Sequence, residues 1–173
     1  MQKKELAKSI YNAAYITGEF LLRSGKTSHE YFDKYRFESN PFLLDMISDE
    51  MIKMIPSGVD CLAALEMGGI PIATAMSLKS GLPVVFVRKE AKKYGTCNLA
   101  EGMEIAGKKM LIVEDVVTSG GQIIISAGEL GELGAIIEKA VCVIDRESGG
   151  KELLKEKGIE LNALFTMTEL KSK

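Results

Sequence analysis

A single α/β domain built around a mostly parallel sheet is the fold class that this sequence predicts, on three observations. Five short apolar runs, CLAALEM (61–67), PVVFVRK (83–89), MLIVED (110–115), KAVCVID (139–145) and NALFTM (162–167), lack the polar alternation of a strand with one wet face. Such runs suit strands covered on both sides. Segments of helical rhythm lie between them, PIATAMSLKSG (71–81) and GGQIIISAGELGELGA (120–135), and this alternation calls for parallel pairing through helical crossovers. No Gly/Pro/Ser-rich linker or internal repeat divides the 173 residues, a length that fits one domain with a substantial core.

The elements before the first core strand follow from local signals. Leu6, Ile10, Ala13 or Ala14, and Ile16 recur at near-helical spacing, which predicts a first helix over 4–16. GEFLLRSGKTSHEYFDKY (18–35) is aromatic and bracketed by glycine, and reads as short strands around a turn. NPFLLDMISDEMIKMI (40–55) opens with an Asn-Pro helix signal and keeps apolar residues at helical spacing. Its successor helix 71–81 ends in Gly81, and the one after it near Gly134.

Composition excludes several classes. The chain is 46% hydrophobic and 27% charged, which argues against disorder, and its net charge of −2 exerts no global pull on nucleic acid or an anionic membrane. No apolar run reaches the roughly 18 residues that a membrane helix needs, and MQKKELAKSIYNAAY lacks the apolar region of a signal peptide. Cys61, Cys97 and Cys142 are isolated, and two of them sit in apolar runs as core thiols. With one histidine, exposed-looking His29, a structural zinc site is not expected. A cytoplasmic, reducing setting is the expectation.

In open parallel sheets ligands bind beyond the carboxyl ends of the strands, and four of those exits are unusual. LIVEDVVTSGG (111–121) runs from a core strand into two carboxylates, two hydroxyls and a glycine pair. Bare backbone amides and the positive end of the helix starting near Gly121 make a phosphate cradle, with Thr118 and Ser119 as hydroxyl donors. Glu114 and Asp115 would repel phosphate, but they suit the vicinal hydroxyls of a sugar, so a ribose 5-phosphate unit satisfies both halves. A helix cap needs one such residue, whereas this exit has four. The exit RKEAKKYGTCNLAEG (88–102) sets Arg88, Lys89, Lys92 and Lys93 against Glu90, a cationic loop suited to closing over a polyphosphate. LEMGGIP (65–71) is either a second amide cradle or a plain tight turn. In VIDRESGG (143–150), Arg146 either grips a carboxylate with two parallel bonds or pairs with Asp145 or Glu147. RSGKTS imitates the end of a P-loop, but Phe20 stands where its first glycine would be and no core strand precedes it.

Taken together, these exits resemble the type I phosphoribosyltransferases, and more narrowly the orotate phosphoribosyltransferases. LIVEDVVTSGG resembles the signature that binds phosphoribosyl pyrophosphate, FVRKEAKKYG the catalytic loop, FLLRSGKTSHEYFD the N-terminal hood, and VIDRESGG the downstream Asp-Arg segment. The resemblance implies a hood and first helix over about 1–40 and an α/β core over about 41–173. It implies that Glu114 and Asp115 hold the ribose hydroxyls, and that Val116, Val117, Thr118, Ser119, Gly120 and Gly121, with Gln122 beside them, bind the 5-phosphate. Arg88, Lys89 and Lys92 would contact pyrophosphate, some across a homodimer, with Arg88, Lys92 and Asp115 closest to catalysis. Thr118 and Arg146 would contact orotate, and Arg23 lies where the family often has lysine. Magnesium would be carried on the substrate rather than by a side-chain cage. Tyr94 stands where the family loop has histidine, Lys93 where it has an acid, TCNLAEG replaces a Glu-Gly-Gly run, and Gly68 stands where some members have lysine.

The implied reaction moves a phosphoribosyl group from phosphoribosyl pyrophosphate to orotate, by displacement at the anomeric carbon without a covalent nucleophile. Two other readings keep the cradle. A purine-type phosphoribosyltransferase would have no use for Arg146 against a base carboxylate, and a non-catalytic sensor of phosphoribosyl pyrophosphate would have no use for Arg88, Lys89 and Lys92.

Overall fold

A computed structural model describes residues 2–21, 25–91 and 98–172. The chain opens with α1 (Lys3–Ala14), then a hairpin of β1 (Tyr15–Leu21) and β2 (Thr27–Phe32), the short α2 (Tyr35–Glu38) and α3 (Pro41–Met51). The core follows as β3 (Cys61–Leu65), α4 (Gly69–Ser80), β4 (Val84–Val87), β5 (Ala100–Glu101), β6 (Lys109–Val117), α5 (Gly121–Glu132), β7 (Ile136–Asp145), α6 (Gly150–Glu156), β8 (Glu160–Thr166) and α7 (Met167–Lys171). The six core strands lie in the order β5-β4-β3-β6-β7-β8. All neighbours are parallel except the edge pair β4–β5. The α/β class and the five apolar strands are therefore as expected.

Alternate residues of the central strands feed two cores. Leu62, Ala64, Leu111 and Val113 face a layer built from α1, α2, α3, α4 and α7, represented by Ile10, Phe37, Ile47, Ile72 and Leu170. Ala63, Leu65, Met110 and Ile112 face α5 and α6 through Ile123, Leu130 and Leu154. Both faces of β6 are covered, and this explains why its sequence shows no alternation. The hairpin β1–β2 stands apart as its own two-stranded antiparallel sheet.

Several boundaries differ from the sequence expectation. The first helix stops at Ala14, and Ile16, expected inside it, pairs with Tyr31 in the hairpin. The helix opened by Asn40 ends at Met51, and a single 3-10 turn, Ile52–Met54, replaces its last part. Asn40 Oδ1 accepts from the amides of Phe42 and Leu43, so the start signal was sound. β6 continues past Asp115 because Val116 and Val117 pair with Ile144 and Asp145 of β7. These two valines belong to the strand, and the turn proper is Thr118–Gly120. The loop after β4 holds an unexpected element, since β5 returns antiparallel along Phe86 and Val87. Among the described residues no helix is long and apolar enough to cross a membrane.

Ile112, fully buried on the central strand, carries a testable consequence. Ile112→Ala is expected to lower unfolding free energy by roughly 2–5 kcal/mol, measured by urea denaturation. A change below about 1 kcal/mol would show that this layer collapses around the missing atoms.

Candidate active site at the end of the central strand

The last turn of β6 brings a carboxylate into the interior. Asp115 is fully buried. Its Oδ1 accepts from the Val116 amide at 2.5 Å, and its Oδ2 is ion-paired with Lys34 Nζ. Gly68 makes room for this carboxylate, because a Cβ at that position would overlap Oδ2. Gly69, its neighbour, lets α4 approach the Val113 carbonyl. Close packing thus accounts for the glycine pair of LEMGGIP, which the sequence left open.

Two further acids surround the ion pair. Glu38, at the end of α2, is 5% exposed, and its Oε1 has no hydrogen-bond partner among the described residues. Burial, then hydrogen bonding and charge from Asp115, push the Glu38 carboxyl well above the usual carboxylate range. Burial followed by the Asp115 charge raises Glu114 as well. Burial alone would lower Lys34, but its contact with Asp115 outweighs that and raises it. The ammonium stays charged, and a proton-bearing Glu38 can donate to Asp115 instead of repelling it. Lys34 and Glu38 were absent from the sequence reading. A lysine and a glutamate on one helical turn give no local sign of a carboxylate some eighty positions away.

Beyond Asp115 the strand passes into α5 through Thr118 and Ser119, both exposed, and Gly120 at φ 72°. That left-handed conformation favours glycine and turns the chain into the helix. Among the described residues no side chain caps this N-terminus, which carries the positive end of the helix dipole. Gln122 is turned along the helix, its Nε2 3.2 Å from Ser126 Oγ. Such a terminus can receive an anion.

A cleft of about 640 Å³ opens between this strand end and the hairpin, lined by Tyr15, Lys34, Val116, Thr118, Arg146 and Met167 among others. Tyr11 and Tyr15 stack at 5.1 Å, and Tyr15 Oη donates to Glu30 Oε2 at 2.6 Å. Arg146 is exposed, and its amide donates to the Val117 carbonyl at 2.9 Å. No ion pair joins it to Asp145 or Glu147, whose carboxylates are engaged elsewhere. The guanidinium can therefore serve a ligand.

Arg88 and Lys89, at the start of the cationic segment, stand apart from this cleft. Arg88 Nε lies 3.5 Å from Glu101 Oε1, and the Lys89 amide donates to Glu66 Oε1 at 2.7 Å. Neither residue lines the cleft, because β3 separates β4 from β6. Arg23, Lys92 and Tyr94 lie outside the described residues. Thr118, Val116 and Arg146 are thus brought together, with Glu114 and Asp115 at the same strand end, while Arg88 and Lys89 mark the exit two strands away.

Comparison with known proteins agrees with this geometry. A family model described as "Phosphoribosyl transferase domain" matches residues 43–163. An orotate phosphoribosyltransferase of Nocardioides sp. is 45% identical over 165 residues, 95% of this chain and 92% of that protein. One from Methanocella arvoryzae is 45% identical over 88% of this chain and 87% of its own. Among solved structures, the orotate phosphoribosyltransferase of Mycobacterium tuberculosis superposes with a TM-score of 0.87 at 26% identity, covering 98% of each chain.

The buried acids make stability depend on pH with a definite sign. Glu38 holds its proton more tightly folded than unfolded, so the stability tied to that proton is present at low pH and is lost as pH rises through the folded pKa. Glu114 acts in the same direction. Melting temperature is therefore expected to decline from mildly acidic pH up to about 9, and Glu38→Gln, which keeps a neutral group there, to decline less steeply. Identical slopes would mean that Glu38 is not the proton holder.

Proposed function

The chain belongs to the phosphoribosyl transferase domain family, with orotate phosphoribosyltransferases as relatives along nearly its whole length, and on that footing we infer that it is itself an orotate phosphoribosyltransferase. It transfers the phosphoribosyl group of phosphoribosyl pyrophosphate to orotate in pyrimidine nucleotide synthesis, yielding orotidine 5'-monophosphate and pyrophosphate. The observation that carries this reading is a single strand end. It offers two acidic side chains and a helix N-terminus without a side-chain cap, beside a cleft lined by an arginine that no carboxylate pairs with among the described residues.

In this reading the 5-phosphate sits on the amides of Thr118–Gly121, with the Thr118 and Ser119 hydroxyls as further donors. The ribose hydroxyls donate to Glu114 and to the Asp115 oxygen that Lys34 engages in the structure. Arg146 grips the orotate carboxylate with two parallel bonds, which a neutral purine base could not reward. The orotate ring nitrogen forms its bond to the anomeric carbon as the bond from that carbon to the pyrophosphate oxygen breaks. Positive character develops on the ribose, and the neighbouring Asp115 carboxylate stabilises it. Arg88, Lys89 and Lys92 serve the departing pyrophosphate, and Arg23 and Tyr94 complete the set of ligand contacts. Holding the two substrates in line provides much of the acceleration.

The donor set suits magnesium, since carboxylate and hydroxyl oxygens are hard ligands. Glu114 and Asp115 would face an ion brought in on the diphosphate and ribose oxygens, and that ion would neutralise charge on the leaving group. The working form in this reading is a homodimer, as the family resemblance implies. A reducing, cytoplasmic setting fits Cys61 and Cys142, both buried free thiols.

With phosphoribosyl pyrophosphate and magnesium, the purified protein is expected to consume orotate, followed by its ultraviolet absorbance, and to leave adenine, guanine, hypoxanthine and uracil untouched. Turnover of a purine alone would overturn the base assignment. Asp115→Asn is expected to lower kcat/KM by roughly 10²–10³-fold with the far-ultraviolet circular dichroism unchanged. Near-normal turnover in that variant would remove the carboxylate from the ribose site.

A further inference from the structure

Arg146 sits in a loop that is braced from both sides, and one of the braces has no part in the chemistry above. Upstream, the Arg146 amide is tied to the Val117 carbonyl at 2.9 Å, which fixes the start of the loop to the end of β6. Downstream, Glu147 occupies φ 56°, the one left-handed position held by a residue other than glycine among the described residues. A side chain with a Cβ enters that region only when its surroundings hold it there. Two sets of contacts do so. The Glu147 amide donates to Asp145 Oδ1 at 2.8 Å, closing the backbone around Arg146. The Glu147 carboxylate reaches α7, where Oε2 accepts from the Thr168 amide at 2.8 Å and from the Thr168 hydroxyl at 2.6 Å.

The same helix lines the cleft. Met167 and Lys171, on either side of Thr168 along α7, share the cleft wall with Arg146. Thr166 and Glu169 form a capping box that satisfies each other's amides, and Glu147 adds a non-local acceptor for the Thr168 amide that the box leaves open. The Thr168 hydroxyl and amide also lower the Glu147 carboxyl below its ordinary range, which keeps it an acceptor at neutral pH.

We propose that Glu147 is a positioning residue for base recognition, joining the Arg146 loop to the C-terminal helix so that the guanidinium and the Met167 wall of the cleft form one unit. The inference rests on the orotate reading, in which Arg146 takes the base carboxylate. A bidentate contact needs the planar guanidinium aligned with its partner, and a loop free to rock loses that alignment. The sugar and phosphate contacts arise from β6 and α5, so Glu147 acts on the affinity for the base and not on that for the phosphoribosyl donor.

Steady-state rates with orotate and phosphoribosyl pyrophosphate varied in turn test this on Glu147→Ala, Thr168→Val and Thr168→Ser. In Glu147→Ala and Thr168→Val the KM for orotate is expected to rise about tenfold while the KM for the donor and kcat stay within about twofold. Thr168→Ser, which keeps the hydroxyl, is expected to match the parent protein. Should Glu147→Ala fail to fold, Thr168→Val carries the test alone, since it leaves the left-handed residue in place. An unchanged orotate KM alongside a lowered melting temperature would reduce the contact to a structural one and overturn the proposal, and so would an equal rise in both KM values. A parent enzyme that ignores orotate would overturn the functional reading and this inference together, whereas the first two outcomes leave the functional reading standing.

Discussion

A carboxylate carried into a protein interior has to be paired or protonated, and Asp115 meets that demand by drawing two elements onto the sheet. Lys34 reaches it from the segment just after the hairpin, and Glu38 closes over it from α2. Gly68, which has no side chain, leaves space for it. The N-terminal segment is therefore held over the end of β6 by charge as well as by the apolar packing of α1 and Phe37. Removing either member of the ion pair would strand the other, so Asp115 also fixes the roof above the strand end.

The rest of the site follows from where parallel strands end. β6 and β7 run alongside each other as far as Val117 and Asp145, and both then release their chains on the same side of the sheet. One exit yields the anion-receiving start of α5, the other yields Arg146, and the hairpin closes the third side of the cleft. An uncapped helix start and an exposed arginine are thereby set beside one cleft. The fold supplies this arrangement before any catalytic refinement is added.

The sequence made the parts visible that obey local rules. Runs such as CLAAL and MLIV declare strands covered on both faces, and Thr-Ser-Gly-Gly declares the turn from β6 into α5. Asn40 declared the start of α3 through a contact two and three residues away. What stayed hidden depends on partners distant in the chain. Two residues, Ala100 and Glu101, become a strand only because Phe86 and Val87 lie beside them. Ile16 keeps helical spacing, yet hairpin pairing with Tyr31 wins. The role of Lys34 requires Asp115, and that of Glu147 requires Thr168, and no periodicity or motif links such pairs. The pyrophosphate-side assignments to Lys92 and Tyr94, and that of Arg23, continue to rest on resemblance.

One margin of the sheet has a consequence for the chain's behaviour in a crowd. An outermost strand normally offers a row of open amides and carbonyls on which a stranger can add itself. β5 is two residues long and antiparallel to its neighbour, so this border is too brief to template an intruder. The opposite border, β8, carries Glu160 and Asn162, with Lys139 of β7 bonded to Glu160. A brief rim on one side and a charged one on the other favour a protein that stays dispersed while its slow, long-range strand pairings are still assembling.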